Sequence, residues 1–171
     1  LTLENIVVED VATCLVIVGR QLKGLKIQCS GFDLNDIASN CPSLESFVIQ
    51  KEAPLSNVSC PNNAAKGCFT NLKHLEITCS AFPKTCLGFI LRNAVQLKDL
   101  KVLHVPGLHR SDFDEWSATM QTLETLLIYR APEFNREDVE LLIDNFPALR
   151  RFGDLHLFDL KRPYDLKRLF A

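Results

Sequence analysis

The 171 residues contain no Cys-x-x-Cys pair, no glycine-rich phosphate loop, no nucleophile elbow and no zinc-protease helix. They also lack an uninterrupted run of one charge and any apolar stretch of membrane length. Each absence removes a class of function. The cysteines at 14, 29, 41, 60, 68, 79 and 86 are odd in number and lack metal-ligand spacing, so no metal or other cofactor is expected. Most of these thiols sit in apolar surroundings and read as small hydrophobes in a reducing compartment, cytoplasmic or nuclear. The sequon Asn57-Val58-Ser59 is the one hint to the contrary, and it has meaning only in a secreted chain.

The net charge is −2, with Lys and Arg scattered among Asp and Glu, so no basic track for a phosphate backbone is expected and nucleic acid is excluded as a partner. The longest apolar stretch, Val11 to Val18, is broken by Thr13 and falls well short of the roughly 20 residues that cross a bilayer, so no membrane association is expected. Leu1–Arg20 has neither a basic start nor a small-residue cleavage site. The chain is therefore expected to carry no signal peptide and to begin inside a larger protein.

What is present is a repeat. The pattern Leu-x-x-apolar-x-apolar recurs as Leu3, Ile6, Val8; Leu22, Leu25, Ile27; Leu44, Phe47, Ile49; Leu72, Leu75, Ile77; Leu97, Leu100, Val102; and Leu123, Leu126, Ile128. A degraded copy follows at Leu149 and Phe152, with Asp154 in the third place. The first leucines lie 19, 22, 28, 25, 26 and 26 residues apart, mostly within the period of leucine-rich repeats. The second and third apolar residues are two apart and share one face of a strand. Between strands, Asp36–Cys41, Cys86–Ala94, Phe113–Met120 and Val139–Phe146 carry helical spacing. Ser111 with Asp114, and Asn135 with Asp138, read as helix starts; as catalytic carboxylates they would need a partner group, and none accompanies them.

One such unit cannot bury its apolar face alone, so the units must stack, and each strand returns through a crossover that makes the next one parallel. The expected fold is α/β: a single leucine-rich-repeat domain over 1–171, of six to seven repeats, forming a right-handed solenoid arc. Its parallel sheet lines the concave face and its helices the convex face. Residues 153–171 read as an irregular last repeat or a cap, and Pro54–Lys66 as a projecting loop. With no cap at the start, the N-terminal end is expected to expose apolar surface.

The segment Leu34-Asn35-Asp36-Ile37-Ala38-Ser39-Asn40-Cys41-Pro42-Ser43-Leu44-Glu45-Ser46-Phe47-Val48-Ile49 resembles the cysteine-containing leucine-rich repeat. Val139–Leu149 keeps its register with Phe146-Pro147 in place of Cys-Pro, and Ile90–Leu100 with Ala94 and Val95. Repeats of this type characterise F-box proteins, and the resemblance covers roughly Leu3 to Phe152. It implies the substrate-recognition region of an SCF ubiquitin-ligase adaptor, joined to Skp and cullin subunits through an upstream F-box that these residues do not include. The alternative is a non-ligase scaffold or inhibitor of ribonuclease-inhibitor-like type. Cys29 and Cys79 fall one place before the family's turn position, which Ser30 and Ser80 occupy.

Strand alternation assigns three side chains per strand to the concave surface: Asn5, Val7, Glu9; Gly24, Lys26, Gln28; Ser46, Val48, Gln50; His74, Glu76, Thr78; Asp99, Lys101, Leu103; and Thr125, Leu127, Tyr129. The first sets are mainly polar, and Leu103, Leu127 and Tyr129 gather at the far end. The expected partner-binding residues are Asp99, Lys101, Leu103, Thr125, Leu127 and Tyr129, with His74 and Glu76 beside them. The other reading of the apolar members is packing against a further repeat or the C-terminal segment. His104, His109 and His156 lie off this surface, Phe113 and Trp116 read as core, and no enzymatic activity is expected.

Overall fold

The structure is a computed structural model describing residues 1–4, 8–28, 31–51, 57–60, 68–79, 82–103, 105–129, 136–154 and 164–165. Its strands are β1 (Thr2–Glu4), β2 (Gly24–Gln28), β3 (Gly31–Asp33), β4 (Ser46–Lys51), β5 (Asn57–Ser59), β6 (His74–Cys79), β7 (Asp99–Leu103), β8 (Thr125–Tyr129), β9 (Arg151–Asp154) and β10 (Tyr164–Asp165). Its helices are α1 (Val8–Val18), α2 (Leu34–Asn40), α3 (Lys84–Asn93), α4 (Arg110–Ser117) and α5 (Arg136–Asn145), with a 3-10 turn at Gly19–Gln21. The main sheet runs β1-β2-β4-β6-β7-β8-β9-β10. The first seven of these strands are mutually parallel, and β10 closes onto β9 antiparallel. The fold is thus α/β, a parallel sheet whose strands follow one another in chain order.

The apolar block dictates this arrangement. Leu25, Phe47, Leu75, Leu100, Leu126 and Phe152 occupy one register row, and Leu3, Ile27, Ile49, Ile77, Val102 and Ile128 another. All twelve are buried and share one core cluster with the inward residues of the helices, such as Leu15, Ile37, Leu87, Ile90, Phe113, Trp116 and Leu142. Each such aliphatic is worth about 1.5–3 kcal/mol relative to exposure, which is what the strand alternation secures. An aromatic chain, Phe32, Phe47, Phe69 and Phe89, crosses three successive blocks with ring centroids 6.2–6.3 Å apart. Phe69 reaches its place with φ of 57°, the left-handed region that costs a bulky residue energy.

A second regularity lies just before each strand. The carbonyl of Lys23 accepts from the backbone N–H groups of both Glu45 and Ser46, at 2.8 and 2.9 Å. Glu45 does the same for Lys73 and His74, Lys73 for Lys98 and Asp99, Lys98 for Glu124 and Thr125, and Glu124 for Arg150 and Arg151. Five junctions with one shared-carbonyl geometry satisfy the backbone where the chain enters the sheet.

Several expectations are corrected. The first block is framed differently: Leu3, inside β1 (Thr2–Glu4), aligns with Ile27, the third apolar place. Val8 and Glu9 belong to α1 instead of a strand, and residues 5–7 lie outside the described residues. The 24 positions from Thr2 to Lys26 replace the anomalous spacing of 19. The apolar run Val11–Val18 is helical, part of α1, in which Val11 and Leu15, four apart, bury one side. The segment read as a projecting loop holds β5, which pairs with β3 in parallel and sets Val58 against the core; residues 54–56 and 61–66 lie outside the described residues. Ser111 does not start α4: the N-cap is His109, two residues earlier, whose N–H donates to Asp112 Oδ2 at 2.7 Å. Asn135, Cys29, Ser30, Ser80, His104 and His156 lie outside the described residues.

Candidate functional site

Because Leu25, Ile27 and their equivalents turn toward the helices, the residues between them form the opposite face of the sheet. Register orders that face into three rows. The first is Gly24, Ser46, His74, Asp99, Thr125 and Arg151. The second is Thr2, Lys26, Val48, Glu76, Lys101, Leu127 and Gly153. The third includes Gln50, Thr78, Leu103 and Tyr129, preceded by Gln28, whose amide donates to Gln50 Oε1 at 3.2 Å.

All eight residues expected to bind a partner therefore fall on three adjacent strands, β6, β7 and β8. Four of them pair across the β6–β7 boundary: His74 Nδ1 lies 2.7 Å from Asp99 Oδ2, and Lys101 Nζ donates to Glu76 Oε1 at 2.9 Å. Each of these side chains keeps between 36% and 55% of its surface exposed, so the pairs can meet a ligand. Leu103 and Leu127 are half-buried, Leu127 following Lys101 in its row. Tyr129 takes the register place beside Leu103.

Thr125 departs from the expectation. It is 7% exposed, too covered to contact a partner, and its hydroxyl has no hydrogen-bond partner among the described residues. Position on an open face does not guarantee exposure; in register Thr125 stands between Asp99 and Arg151 on the flanking strands.

Sequence reasoning missed part of the site. Val48 mirrors Leu127 across the Glu76–Lys101 pair. Arg151 joins the first row, beside Asp165 of β10, because the degraded last block still forms a strand in register. A charged rim adjoins the face: Lys23, Glu45, Lys73, Lys98, Glu124 and Arg150 each follow the first leucine of a block, a signal readable in the sequence. Along it Glu45 lies 3.3 Å from Lys23 and 2.7 Å from Lys73, and Lys98 lies 3.2 Å from Glu124. The hydrogen bonds from Lys73 and then Lys23 hold the Glu45 carboxyl below its usual range.

No model of a known protein family matches this chain, and no curated protein is found to be similar to it.

The charges segregate by layer. On the face and rim, by register, Lys23, Lys26, Lys73, Lys98, Lys101, Arg150 and Arg151 stand beside Glu4, Glu45, Glu76, Asp99, Glu124 and Asp165, seven bases to six acids. The helix layer is the reverse, with acidic Asp36, Asp112, Asp114, Glu115 and Asp138 against Lys84, Arg92 and Arg110. There Lys84 pairs with Asp112, Arg92 with Glu115, and Arg110 with both Asp114 and Asp138, tying α3, α4 and α5 together at the surface. Exposed pairs of this kind contribute about 0–1 kcal/mol each, so they orient more than they stabilise.

Among the described residues no three His, Cys, Asp or Glu side chains converge as metal ligands, and no helix is long and apolar enough to cross a membrane. The six described cysteines carry free thiols. Burial pushes Cys79 and Cys86 up to about 12 and Cys41 up to about 11. Nucleophilic thiolate chemistry is not what these positions favour.

Proposed function

We propose that this chain is a leucine-rich-repeat solenoid segment, right-handed and arched, that binds a protein on a concave sheet and performs no chemistry of its own. One observation carries the reading: a single apolar block recurs in one register on successive parallel strands, and its outward residues bring the Lys101–Glu76 ion pair and the His74–Asp99 contact together beside Val48 and Leu127. Apolar groups ringed by charged ones suit a protein interface, where a few desolvated anchors dominate the affinity. Chain-order parallel strands joined by crossovers favour the right-handed sense.

The resemblance of Leu34–Ile49 to the cysteine-containing repeat supports the narrower role. In it the chain is the substrate-recognition region of an F-box-type adaptor, working in the cytoplasm or nucleus with Skp and cullin subunits. Affinity purification of the full-length protein is the test. Recovery of Skp and cullin subunits is the expected result, and recovery of neither removes the ligase role in favour of a scaffold or inhibitor. For the site itself, Leu127→Ala and Tyr129→Ala are expected to weaken partner binding by about tenfold each, and Gln28→Ala by much less. Equal effects of the three would show that the interface lies elsewhere.

A further inference from the structure

We propose that Cys60 and Cys86 form a reversible modification site: a small disulfide of the glutathione type oxidises the two thiols to one intramolecular disulfide, which fastens β5 to the start of α3. The two cysteines stand 26 positions apart, about one block length, so nothing in their spacing announces a pair. The fold brings them together. Val58 of β5 packs against the core, and Cys60, two residues later, is partly buried against the same cluster. Cys60 Sγ donates to the carbonyl of Thr85 at 3.8 Å, and Thr85 is the neighbour of Cys86 in the first turn of α3. The two thiols also share a hydrogen bond of their own. Reacting groups held in such contact gain orders of magnitude in effective concentration over the same groups in free solution.

Their surroundings give the two sulfurs different parts. Cys60 is partly exposed and Cys86 is 2% exposed, so an incoming small disulfide meets Cys60 first. Burial raises both thiols, Cys86 up to about 12. At Cys60 the hydrogen bond with Cys86 and then the positive charge of Arg92 oppose that rise. At Cys86 the Cys60 charge and the shared hydrogen bond add to it. Cys60 is therefore the sulfur that ionises first, and Cys86 the one that keeps its proton.

The exchange takes two steps. The Cys60 thiolate attacks one sulfur of the small disulfide, forming a mixed disulfide and releasing a small thiolate, which regains through solvent the proton that Cys60 lost. The Cys86 sulfur then attacks Cys60 Sγ, the mixed bond breaks, and the second small thiol leaves with the Cys86 proton. Two protein thiols are oxidised and one small disulfide is reduced to two small thiols. Excess small thiol drives both steps backwards, which in the reducing compartment proposed above makes the bond transient.

The test is incubation of the folded chain with glutathione disulfide at pH 8, followed by an acid quench and disulfide mapping by mass spectrometry. The expected main product is a Cys60–Cys86 linked peptide that dithiothreitol removes. Cys86→Ser should stop the reaction at glutathione on Cys60, and Cys60→Ser should slow the loss of the Cys86 thiol at least tenfold. Cys86→Ala, which leaves no buried hydroxyl, takes the place of the serine variant if the latter does not fold. In concentrated urea, where separation along the chain decides, Cys60 should pair with Cys68, eight positions away, in preference to Cys86. In the oxidised folded protein the amide hydrogens of Val58 and Ser59 should exchange at least threefold more slowly, because β5 can no longer open independently of α3.

No reaction at Cys60, glutathione remaining on Cys60 of the unaltered folded chain, a Cys60–Cys68 bond in that chain, or the same preference for Cys86 in urea overturns the inference. Unchanged exchange at Val58 and Ser59 in protein that carries the bond overturns the fastening of β5.

Discussion

Leu127 lies over Gly153: a Cβ built on that glycine would come within 2.9 Å of Leu127 Cδ2. The two residues are register neighbours on β8 and β9, and the absence of a side chain at 153 lets Leu127 lean along the sheet. Gly24 stands at the other end of the face with nothing within 4 Å of its Cβ direction. The two glycines therefore predict opposite outcomes. Gly153→Ala should displace the tip of Leu127, change its methyl chemical shifts and weaken binding at the face severalfold. The clash is with the end of a flexible side chain, so stability should move by less than about 1 kcal/mol. Gly24→Ala should leave both shifts and binding unchanged and raise stability by about 0.5 kcal/mol. Methyl-labelled NMR with thermal melts separates the two.

The thiols predict a reactivity order and a pH limit. Cys41, Cys79 and Cys86 are each 1–2% exposed, whereas Cys14 and Cys60 are partly exposed. Native-state alkylation at pH 7.5, followed by mass spectrometry, should modify Cys14 at least tenfold faster than the three buried positions. The same burial ties stability to pH. A thiol near 9 in the unfolded chain and at about 11 or 12 when folded favours the folded state up to pH 9. That contribution is lost as pH rises through the folded values. Urea midpoints should therefore decline between pH 9 and 11, and Cys79→Ala should flatten the decline. An unchanged slope in that variant would remove Cys79 from the account.

The outer side of α1 predicts self-association. Val16 is 68% exposed and Ile17 74% exposed, with Leu1 at 48%, while Val11 and Leu15 four residues apart turn into the core. An apolar surface of this kind at the β1 end of the sheet is sticky in isolation. Sedimentation of these 171 residues alone should show concentration-dependent association, and Val16→Lys with Ile17→Glu should reduce it without lowering the melting temperature. A clean monomer at high concentration in the unaltered chain would sink the prediction.

The parts of this molecule that were legible in its sequence are those where a side chain's type determines its direction. Leucine, isoleucine and phenylalanine at fixed spacing must face one way on a strand, so β2, β4, β6, β7 and β8 and the grouping of His74, Glu76, Asp99, Lys101 and Leu127 could be read directly. The first block was misframed because Leu3, Ile6 and Val8 imitate the motif by chance, while the true partner of Ile27 is Leu3 itself. Valine-rich α1 and the short β3–β5 pair were hidden for a different reason. Their conformations are settled by tertiary contacts, Val11 and Leu15 in one case and the edge of Gly31–Asp33 in the other, and intrinsic propensity does not announce them. The burial of Thr125 depends on neighbours from other strands, which no reading along one strand can supply.

Between consecutive members of the row from Lys26 to Gly153 the chain spends as few as 22 residues and as many as 28, yet the partners never slip. The shared carbonyl at each junction re-enters every strand at the same phase, whatever the length of the detour before it. Differences in block length therefore leave the alternation of side chains on the sheet unchanged. The lengths of the connections and the residues displayed on the sheet can thus change as two nearly independent properties.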